Sequence, residues 1–244
     1  MTRFIQWKTN ELIPDRGPVF KEQGIDPAQF QPNSQAALSP RMERLDRLFG
    51  ESLNLYLQQA QPQGMWKCLE TSEFERVFAG PQQTENDTPL HSIIPRADHL
   101  AIFALTLGPE LSRIIEECFE ENDYARGYML DTIASQAAEM AVEDLEQRFA
   151  DELSSPRGQN TVLAYSPGYC GWHISAQANV FRFLDPLRVG IQLNDSYLMI
   201  PLKSVTGVLV AGESEIHLFS NNFPFCRDCK HATCRSRMER IRSV

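Results

Sequence analysis

The sequence predicts an α+β fold, with a twisted and mainly antiparallel sheet flanked by helices and a helical N-terminal part. Amphipathic helical spacing dominates the chain as far as Phe149, and short strand-like runs dominate it after Thr161. Helices and strands are thus segregated along the chain. This order is typical of antiparallel sheets, whereas alternating strands and helices would predict a doubly wound parallel sheet.

Turn residues punctuate the first predicted elements. Residues 1–38 contain repeated prolines and glycines without clear hydrophobic periodicity, so we expect an irregular lead-in. Ser39 and Pro40 have the pattern of an N-cap followed by proline at the first helical position, and helical spacing then continues to about Gln59. Residues 65–69 are a short strand candidate, and the polar residues 80–91 predict a surface loop.

The middle of the chain predicts a buried strand and two helices. Residues 100–107 are an apolar run ended by Gly108 and Pro109, which indicates a strand followed by a helix start. Helical spacing recurs over residues 111–118 and again over residues 124–149. The later elements are, in order, a strand over 161–165, a helix over 175–184, strands over 189–193 and 197–200, and a hairpin of 205–211 with 215–219.

Composition and charge limit the classes of protein to which the chain can belong. The 244 residues are 42% hydrophobic and 23% charged, as in globular proteins, and no apolar run reaches the roughly 20 residues that span a bilayer. The start has no apolar core of the signal-peptide type, so we expect a cytoplasmic protein. The net charge of −9 argues against nucleic-acid binding.

The end of the chain differs in composition from the rest. We expect a main domain over residues 39–222, after the lead-in, and a basic, cysteine-rich tail over residues 223–244. From Cys226 onward there are six Arg or Lys residues against Asp228 and Glu239. The chain is therefore an acidic body with a small basic tail.

The tail carries a candidate metal site. Cys226, Cys229 and Cys234 lie within nine residues, which in a chain without secretory features favours metal binding over disulfides. Three thiolates suit an iron–sulfur cluster or zinc. Reduced structural or redox thiols are the alternative explanation. The candidates for a fourth ligand are Cys170, Cys68 and His231.

A second candidate site follows the predicted strand 161–165. Residues 165–172 (YSPGYCGW) contain three aromatic residues, two glycines and a proline. Gly168 permits a close approach of the backbone, and the rings offer stacking surfaces for a flat or cationic ligand. From composition alone, a structural turn with buried aromatic residues explains the segment equally well.

Several short motifs in this half of the chain occur in the order of a known family. YSPGY is followed by a predicted helix, then by Asn194-Asp195-Ser196, by Met199-Ile200-Pro201 and by Ser204-Val205-Thr206-Gly207. With the upstream TLGPEL and LDTIASQAAEMAVEDL, this order resembles the reactivation domain of vitamin B12-dependent methionine synthase, in its stand-alone form. The resemblance covers residues 98–219, about half of the chain.

The resemblance implies an activity that depends on a partner. Domains of this family bind S-adenosylmethionine and dock on the corrinoid module of a cobalamin-dependent methyltransferase. When the corrinoid cobalt has been oxidised, one electron and the sulfonium methyl group together restore methylcobalt. The implied partners are therefore a corrinoid protein or cobalamin-dependent methyltransferase and an electron donor. An iron–sulfur cluster in the tail would supply that electron.

The resemblance also assigns site residues to this chain. Gly168 and Tyr169 match the family's S-adenosylmethionine turn, in a motif that begins at Tyr165. Glu139 matches an acidic position on the preceding helix, where it would face the ammonium or sulfonium group of the ligand. His217 aligns near a family tyrosine.

One position departs from the family pattern. The family has an arginine four residues before the turn glycine, and this chain has Ala164 there. Arginine holds a carboxylate with a planar pair of donors, and alanine has no such group. A partner for the ligand carboxylate would have to come from elsewhere, with Arg182 and Arg188 as candidates.

Two functions from different classes fit these observations. The first is a stand-alone reactivation-type protein for a corrinoid-dependent methyltransferase or methionine synthase, which binds S-adenosylmethionine, docks on the corrinoid module, or does both. The second is a non-enzymatic iron–sulfur or zinc protein that acts as an electron carrier or adaptor on the same fold. The sequence leaves open whether the chain is itself an enzyme.

Overall fold

The computed structural model describes residues 1–26, 39–80, 88–153 and 161–219. Its helices are α1 (Arg16–Glu22), α2 (Pro40–Gln59), α3 (Thr71–Phe78), α4 (Leu90–Ile93), α5 (Pro109–Glu120), α6 (Tyr124–Leu153) and α7 (Gln177–Leu184). Its strands are β1 (Thr2–Gln6), β2 (Gln63–Leu69), β3 (His99–Thr106), β4 (Thr161–Tyr165), β5 (Gln192–Leu193), β6 (Met199–Ile200) and β7 (Ser204–Gly212). The predicted α+β class is confirmed. None of the helices in these ranges is long and apolar enough to cross a membrane.

One five-stranded antiparallel sheet organises the fold, in the order β1-β2-β3-β7-β4. The apolar run predicted as a buried strand is β3, the central strand. β4 pairs with only part of β7, because its register ends with Tyr165 opposite Val208. The first residues of β7, Ser204 to Gly207, therefore pair with β3 alone among the described strands.

Each face of the sheet carries its own layer of helices and its own apolar core. Side chains alternate between the two faces of a strand, and β3 shows this alternation directly. Ala101, Phe103 and Leu105 pack in a core with residues of α2, α5 and α6. Leu100 and Ile102 point to the other core, which includes residues of α3, α4 and α7. β3 is buried on both faces, which explains its continuous apolar sequence.

The start of α2 agrees with its sequence signals. Ser39 is the N-cap, its Oγ accepts a hydrogen bond from the backbone N–H of Met42 at 3.4 Å, and Pro40 is the first helical residue. This arrangement satisfies one of the backbone donors that a helix start leaves unpaired. The long helix α6 packs its small residues inward, and Ala134, Ala137 and Ala141 are fully buried.

The expectation of an irregular lead-in over residues 1–38 was wrong for its described part. Residues 2–6 form strand β1, which pairs with β2 so that Phe4 lies opposite Met65. Helix α1 follows, and Phe20 is fully buried in the core. The strand depends on a partner about 60 residues away, and this long-range pairing leaves no periodicity in five residues of local sequence.

The predicted hairpin of residues 205–211 with 215–219 was also wrong in its second half. Residues 205–211 lie in β7, but Ser214–His217 is a short 3₁₀ turn. β7 already has β3 on one side and β4 on the other, so no edge is left for a strand after Gly212. Ile216 and His217 are buried instead. The strand candidates at 189–193 and 197–200 are reduced to the two-residue strands β5 and β6.

Gly207 allows the chain to leave β4 across the neighbouring strand. A Cβ at this position would overlap the carbonyl oxygen of Tyr165 and lie 2.9 Å from Cε1 of Phe103 and 3.0 Å from Oγ of Ser166. The backbone that follows β4 therefore passes directly over Gly207, where any side chain would stand in its way. This contact explains in structural terms why the motif Ser204–Gly207 ends in a glycine.

We expect Gly207→Ala to lower the free energy of unfolding by about 3 kcal/mol, because the added methyl group forces backbone atoms apart in a packed region. Gly50, within α2, is the matched control, since a Cβ there meets nothing within 4 Å. Gly50→Ala should raise stability by about 1 kcal/mol through helix propensity. Urea denaturation of both variants measures this difference, and equal stability of Gly207→Ala and wild type would contradict the assigned contact.

Candidate functional site

The turn segment, residues 165–172, begins where β4 ends and is held by its own backbone. Gly168 donates its N–H to the carbonyl of Trp172 at 2.7 Å, and Trp172 donates to the carbonyl of Tyr169 at 2.9 Å. Gly168 has a φ of +92°, a conformation that side chains disfavour. The segment is therefore a compact turn, and glycine is required at its centre.

The turn segment has a buried aromatic base and an exposed tip. Trp172 is 1% exposed, its Nε1 donates to the carbonyl of Phe78 at 3.2 Å, and its ring forms a T-shaped pair with Phe74, with centroids 5.7 Å apart. Tyr169, by contrast, is 48% exposed beside the exposed Gly168. The sequence suggested either a structural turn with buried aromatic residues or a ligand site with exposed rings. Trp172 fits the first explanation, because it packs in the core, and the half-exposed ring of Tyr169 fits the second.

Tyr165, the first residue of the turn segment, forms a buried pair with His217. The Tyr165 hydroxyl is 2.9 Å from Nδ1 of His217, and the two rings are stacked at 6.0 Å. Nε2 of His217 lies 3.2 Å from the carbonyl oxygen of Thr161. His217 is 0% exposed, and burial lowers its pKa to about 4, although the hydrogen bond to Thr161 acts in the opposite direction.

Helix α6, on the other face of the sheet, reaches the end of β4 and the start of β7 through two polar contacts. Nζ of Lys203, just before β7, lies 2.8 Å from Oδ1 of Asp131 and 2.9 Å from Oγ of Ser135. Further along α6, Oε1 of the buried Glu146 accepts the backbone N–H of Ala164 in β4 at 2.7 Å. These contacts join the helix to the start of β7 and to the end of β4.

Glu139 lies between these two contacts on α6. It follows Ser135 by four residues and precedes Glu146 by seven, spacings that keep all three on one side of a helix. Its side chain is half-buried. Glu139 thus lies on the side of α6 that contacts the start of β7 and the end of β4, and a carboxylate favours a positively charged group.

Ala164 has no cationic side chain to place at the end of β4. Its backbone N–H donates to Oε1 of Glu146 instead. Arg188 does not compensate, because its guanidinium lies 4.5 Å over the ring of Phe4 in β1, at the opposite edge of the sheet. Arg182 is exposed on α7.

The structure brings some of the predicted site residues together and leaves others apart. Tyr165, Gly168, Tyr169 and His217 cluster around the end of β4. Cys170 belongs to the same turn, is half-buried, and its carbonyl accepts a hydrogen bond from the Thr88 hydroxyl at 2.5 Å. No group of three His, Cys, Asp or Glu side chains in the described ranges could hold a metal ion. Cys226, Cys229, Cys234 and His231 lie outside the described residues.

Lys203 and Glu146 are the residues of this region that sequence reasoning missed. A lysine within the run MIPLKSV and a glutamate among the many acids of α6 carry no local signal of their contacts. Both partners, Asp131 and Ala164, are distant in sequence. Only the packing of α6 on the sheet brings them within reach.

The buried His217 predicts a specific dependence of stability on pH. The folded-state pKa of about 4 lies below the ordinary value of 6.5, so the neutral ring stabilises the fold fully above pH 6.5. As the pH falls from 6.5 to about 4, the unfolded chain takes up a proton that the folded chain does not. The free energy of unfolding should therefore fall by about 3 kcal/mol over this range, at about 1.4 kcal/mol per pH unit.

Denaturation of wild type and His217→Gln between pH 7 and pH 4 measures this contribution. The variant should lose that part of the pH dependence, since glutamine does not titrate. His99→Gln is the control, because His99 is exposed at the start of β3. Identical pH profiles for wild type and His217→Gln would contradict the assignment.

Comparisons with known proteins agree with this architecture. The model of the family described as vitamin B12 dependent methionine synthase, activation domain, matches residues 82–221. Among solved structures, the chain is similar to the MetH reactivation domain bound to AdoHcy, with a TM-score of 0.60 and 18% identity over 86% of this chain and 78% of that chain. No curated protein matches the chain in sequence. The family match spans more than half of the chain and confirms the resemblance seen in its motifs, so this protein belongs to the vitamin B12-dependent methionine synthase activation domain family.

Proposed function

We propose that this protein serves a corrinoid-dependent methyltransferase or methionine synthase as a reactivation partner. It would bind S-adenosylmethionine at the turn segment and dock on the corrinoid module of a second protein. The observation that carries the proposal is the exposed tip of the turn segment, Gly168 and Tyr169, at the end of β4 in a chain of this family. A cytoplasmic location, in which Cys68, Cys118 and Cys170 stay reduced, belongs to the same proposal.

The chemistry of the ligand matches the side chains at this end of the sheet. S-adenosylmethionine carries a flat adenine ring and two positive groups, the ammonium and the sulfonium. The ring of Tyr169 provides a surface for stacking or for a cation, and Glu139 on α6 provides negative charge. The glycine at position 168 allows a ligand to approach the backbone closely.

The role of this chain in the reaction is to bind and orient the methyl donor. The corrinoid, held by the partner, supplies the cobalt that accepts the methyl group. S-adenosylhomocysteine, the product, has lost the positive charge on sulfur. A carboxylate near the sulfur would therefore bind S-adenosylmethionine more tightly than S-adenosylhomocysteine, which helps the site to release the product.

The ligand carboxylate is held differently in this chain from the way the family pattern implies. Ala164 has no donor to offer, because its side chain is apolar and its backbone N–H donates to Glu146. We propose that the carboxylate of the ligand points away from β4, toward solvent or toward the partner protein. Affinity for S-adenosylmethionine then depends mainly on its adenosine and its cationic groups.

Isothermal titration with S-adenosylmethionine and S-adenosylhomocysteine tests the proposal. Glu139→Gln should weaken binding of the sulfonium ligand about tenfold and binding of the neutral thioether less, because only the former loses an attraction at sulfur. Glu143→Gln is the matched control, since Glu143 is exposed one turn further along α6. No heat of binding for either ligand, with or without a corrinoid protein present, would remove the methyl-donor role.

A second candidate function rests on the cysteines of the tail. Cys226, Cys229 and Cys234 supply three thiolates within nine residues, and Cys170 in the turn segment is the fourth ligand that we favour. In this alternative the protein is a non-enzymatic iron–sulfur or zinc protein that acts as an electron carrier or adaptor. An iron–sulfur cluster would also be compatible with the first function, as a source of the electron for reactivation.

Anaerobic purification followed by metal analysis and visible spectroscopy distinguishes these possibilities. An iron–sulfur cluster should give a brown protein with visible absorption, whereas zinc should give a colourless one. Replacing Cys226, Cys229 and Cys234 by Ser should abolish the metal in either case, and Cys118→Ala, in the buried side of α5, should retain it. Stoichiometric metal in the triple variant would refute the ligand assignment.

A further inference from the structure

The Tyr165–His217 pair is buried next to the exposed tip of the turn segment. His217 is fully enclosed, and Tyr165 is buried as well. The pair nevertheless involves the residue with which the turn segment begins. Its contacts therefore bear on how the turn segment is held.

The partners of the imidazole determine its tautomer. The carbonyl oxygen of Thr161, 3.2 Å from Nε2, can only accept a hydrogen bond, so Nε2 must carry the proton. Nδ1 is then an acceptor in the neutral ring, and the Tyr165 hydroxyl, 2.9 Å away, donates to it. A lowered pKa of His217 agrees with this neutral form.

The same imidazole contacts both ends of one strand. Thr161 is the first residue of β4 and Tyr165 is the last. Among the described strands, β4 lies at the edge of the sheet and pairs with β7 alone. An edge strand of five residues has few ladder hydrogen bonds, so a side chain that bridges its ends adds substantially to its attachment.

Beyond Tyr165, the far part of the turn segment is anchored by Trp172, which bonds to Phe78, and by the Thr88 hydroxyl on the Cys170 carbonyl, whereas its near part follows directly from Tyr165. The Tyr165 carbonyl passes over Gly207, where the missing side chain leaves space but adds no contact of its own. A shift of Tyr165 would therefore move the near part of the turn segment, which includes Gly168. The direction in which Gly168 and Tyr169 are presented therefore depends on how firmly the Tyr165 ring is held.

We propose that His217 is a positioning residue, which in its Nε2–H form clamps β4 through Thr161 and Tyr165 and thereby orients the turn segment. This inference rests on the proposed function in one respect only, namely that the oriented turn receives the ligand. The clamp itself concerns the ligand-free protein and can be tested without any ligand.

Amide hydrogen exchange of the ligand-free protein tests the clamp. Tyr165→Phe removes one hydroxyl, and it should speed exchange at the amides of Gly168 and Trp172 about tenfold, as expected for the loss of one buried hydrogen bond. Tyr56→Phe is the matched control. Tyr56 is another fully buried tyrosine, and its hydroxyl donates to the Leu12 carbonyl at 2.8 Å, far from the turn.

The expected result separates positioning from general stability. Tyr56→Phe should lower the melting temperature as much as Tyr165→Phe does, yet leave exchange at the turn amides unchanged. Equal exchange rates at the turn in the two variants would overturn the proposal. His217→Gln keeps a hydrogen-bond donor and an acceptor, whereas His217→Leu removes both. The amides of the turn segment should therefore exchange more slowly in His217→Gln than in His217→Leu. Equal exchange rates in these two variants would also overturn the proposal.

Long-range ¹H–¹⁵N spectra of the imidazole supply a spectroscopic check. They should report the Nε2–H tautomer in wild type, and the Nδ1–H tautomer would contradict the assigned hydrogen bonds. Titration with S-adenosylmethionine then tests the link to the ligand. If wild type binds, Tyr165→Phe should weaken binding about tenfold and Tyr56→Phe should not. If wild type does not bind, the proposed function fails, while the exchange data still decide the clamp.

Discussion

The passage of the chain over Gly207 is the constraint on which the site depends. Because Gly207 has no side chain, the carbonyl of Tyr165 can lie directly against β7, and the turn segment begins there. A longer β4 would have continued along β7 to Ser204 and covered this end of the sheet. The early exit instead places a compact turn beside the first residues of β7, and the exposed Gly168 and Tyr169 form its tip.

Helix α6 is joined to the start of β7 by an ion pair that is less exposed than others on the surface. The Lys203–Asp131 ion pair is partly enclosed, with the lysine side chain only 12% exposed, and Ser135 shares its ammonium group. Pairs such as Arg113–Glu117 on α5 are open to solvent and contribute little. The enclosed pair matters more, because breaking it would leave a charge with poor access to water.

Much of the main domain could be predicted from local sequence. Ser39 and Pro40 marked the start of α2, and the strand predicted over residues 161–165 is β4. Residues 215–219 illustrate the opposite case. Their apolar alternation is typical of a strand, but β7 has no free edge with which such a strand could pair. Ile216 and His217 are buried in a 3₁₀ turn instead. An alternation of apolar residues predicts which side chains are buried, but it does not specify whether a strand or a turn buries them.

By itself, the sequence determined the class of fold, most of its elements and the family, because hydrophobic periodicity, caps and short ordered motifs are local properties. The tertiary structure decided which residues meet. It paired β1 with β2, set Lys203 against Asp131 and Glu146 against Ala164, and enclosed His217 beneath Tyr165. These contacts join residues far apart in the chain, and they form because helices and strands must bury their apolar faces together, a requirement that no single segment expresses.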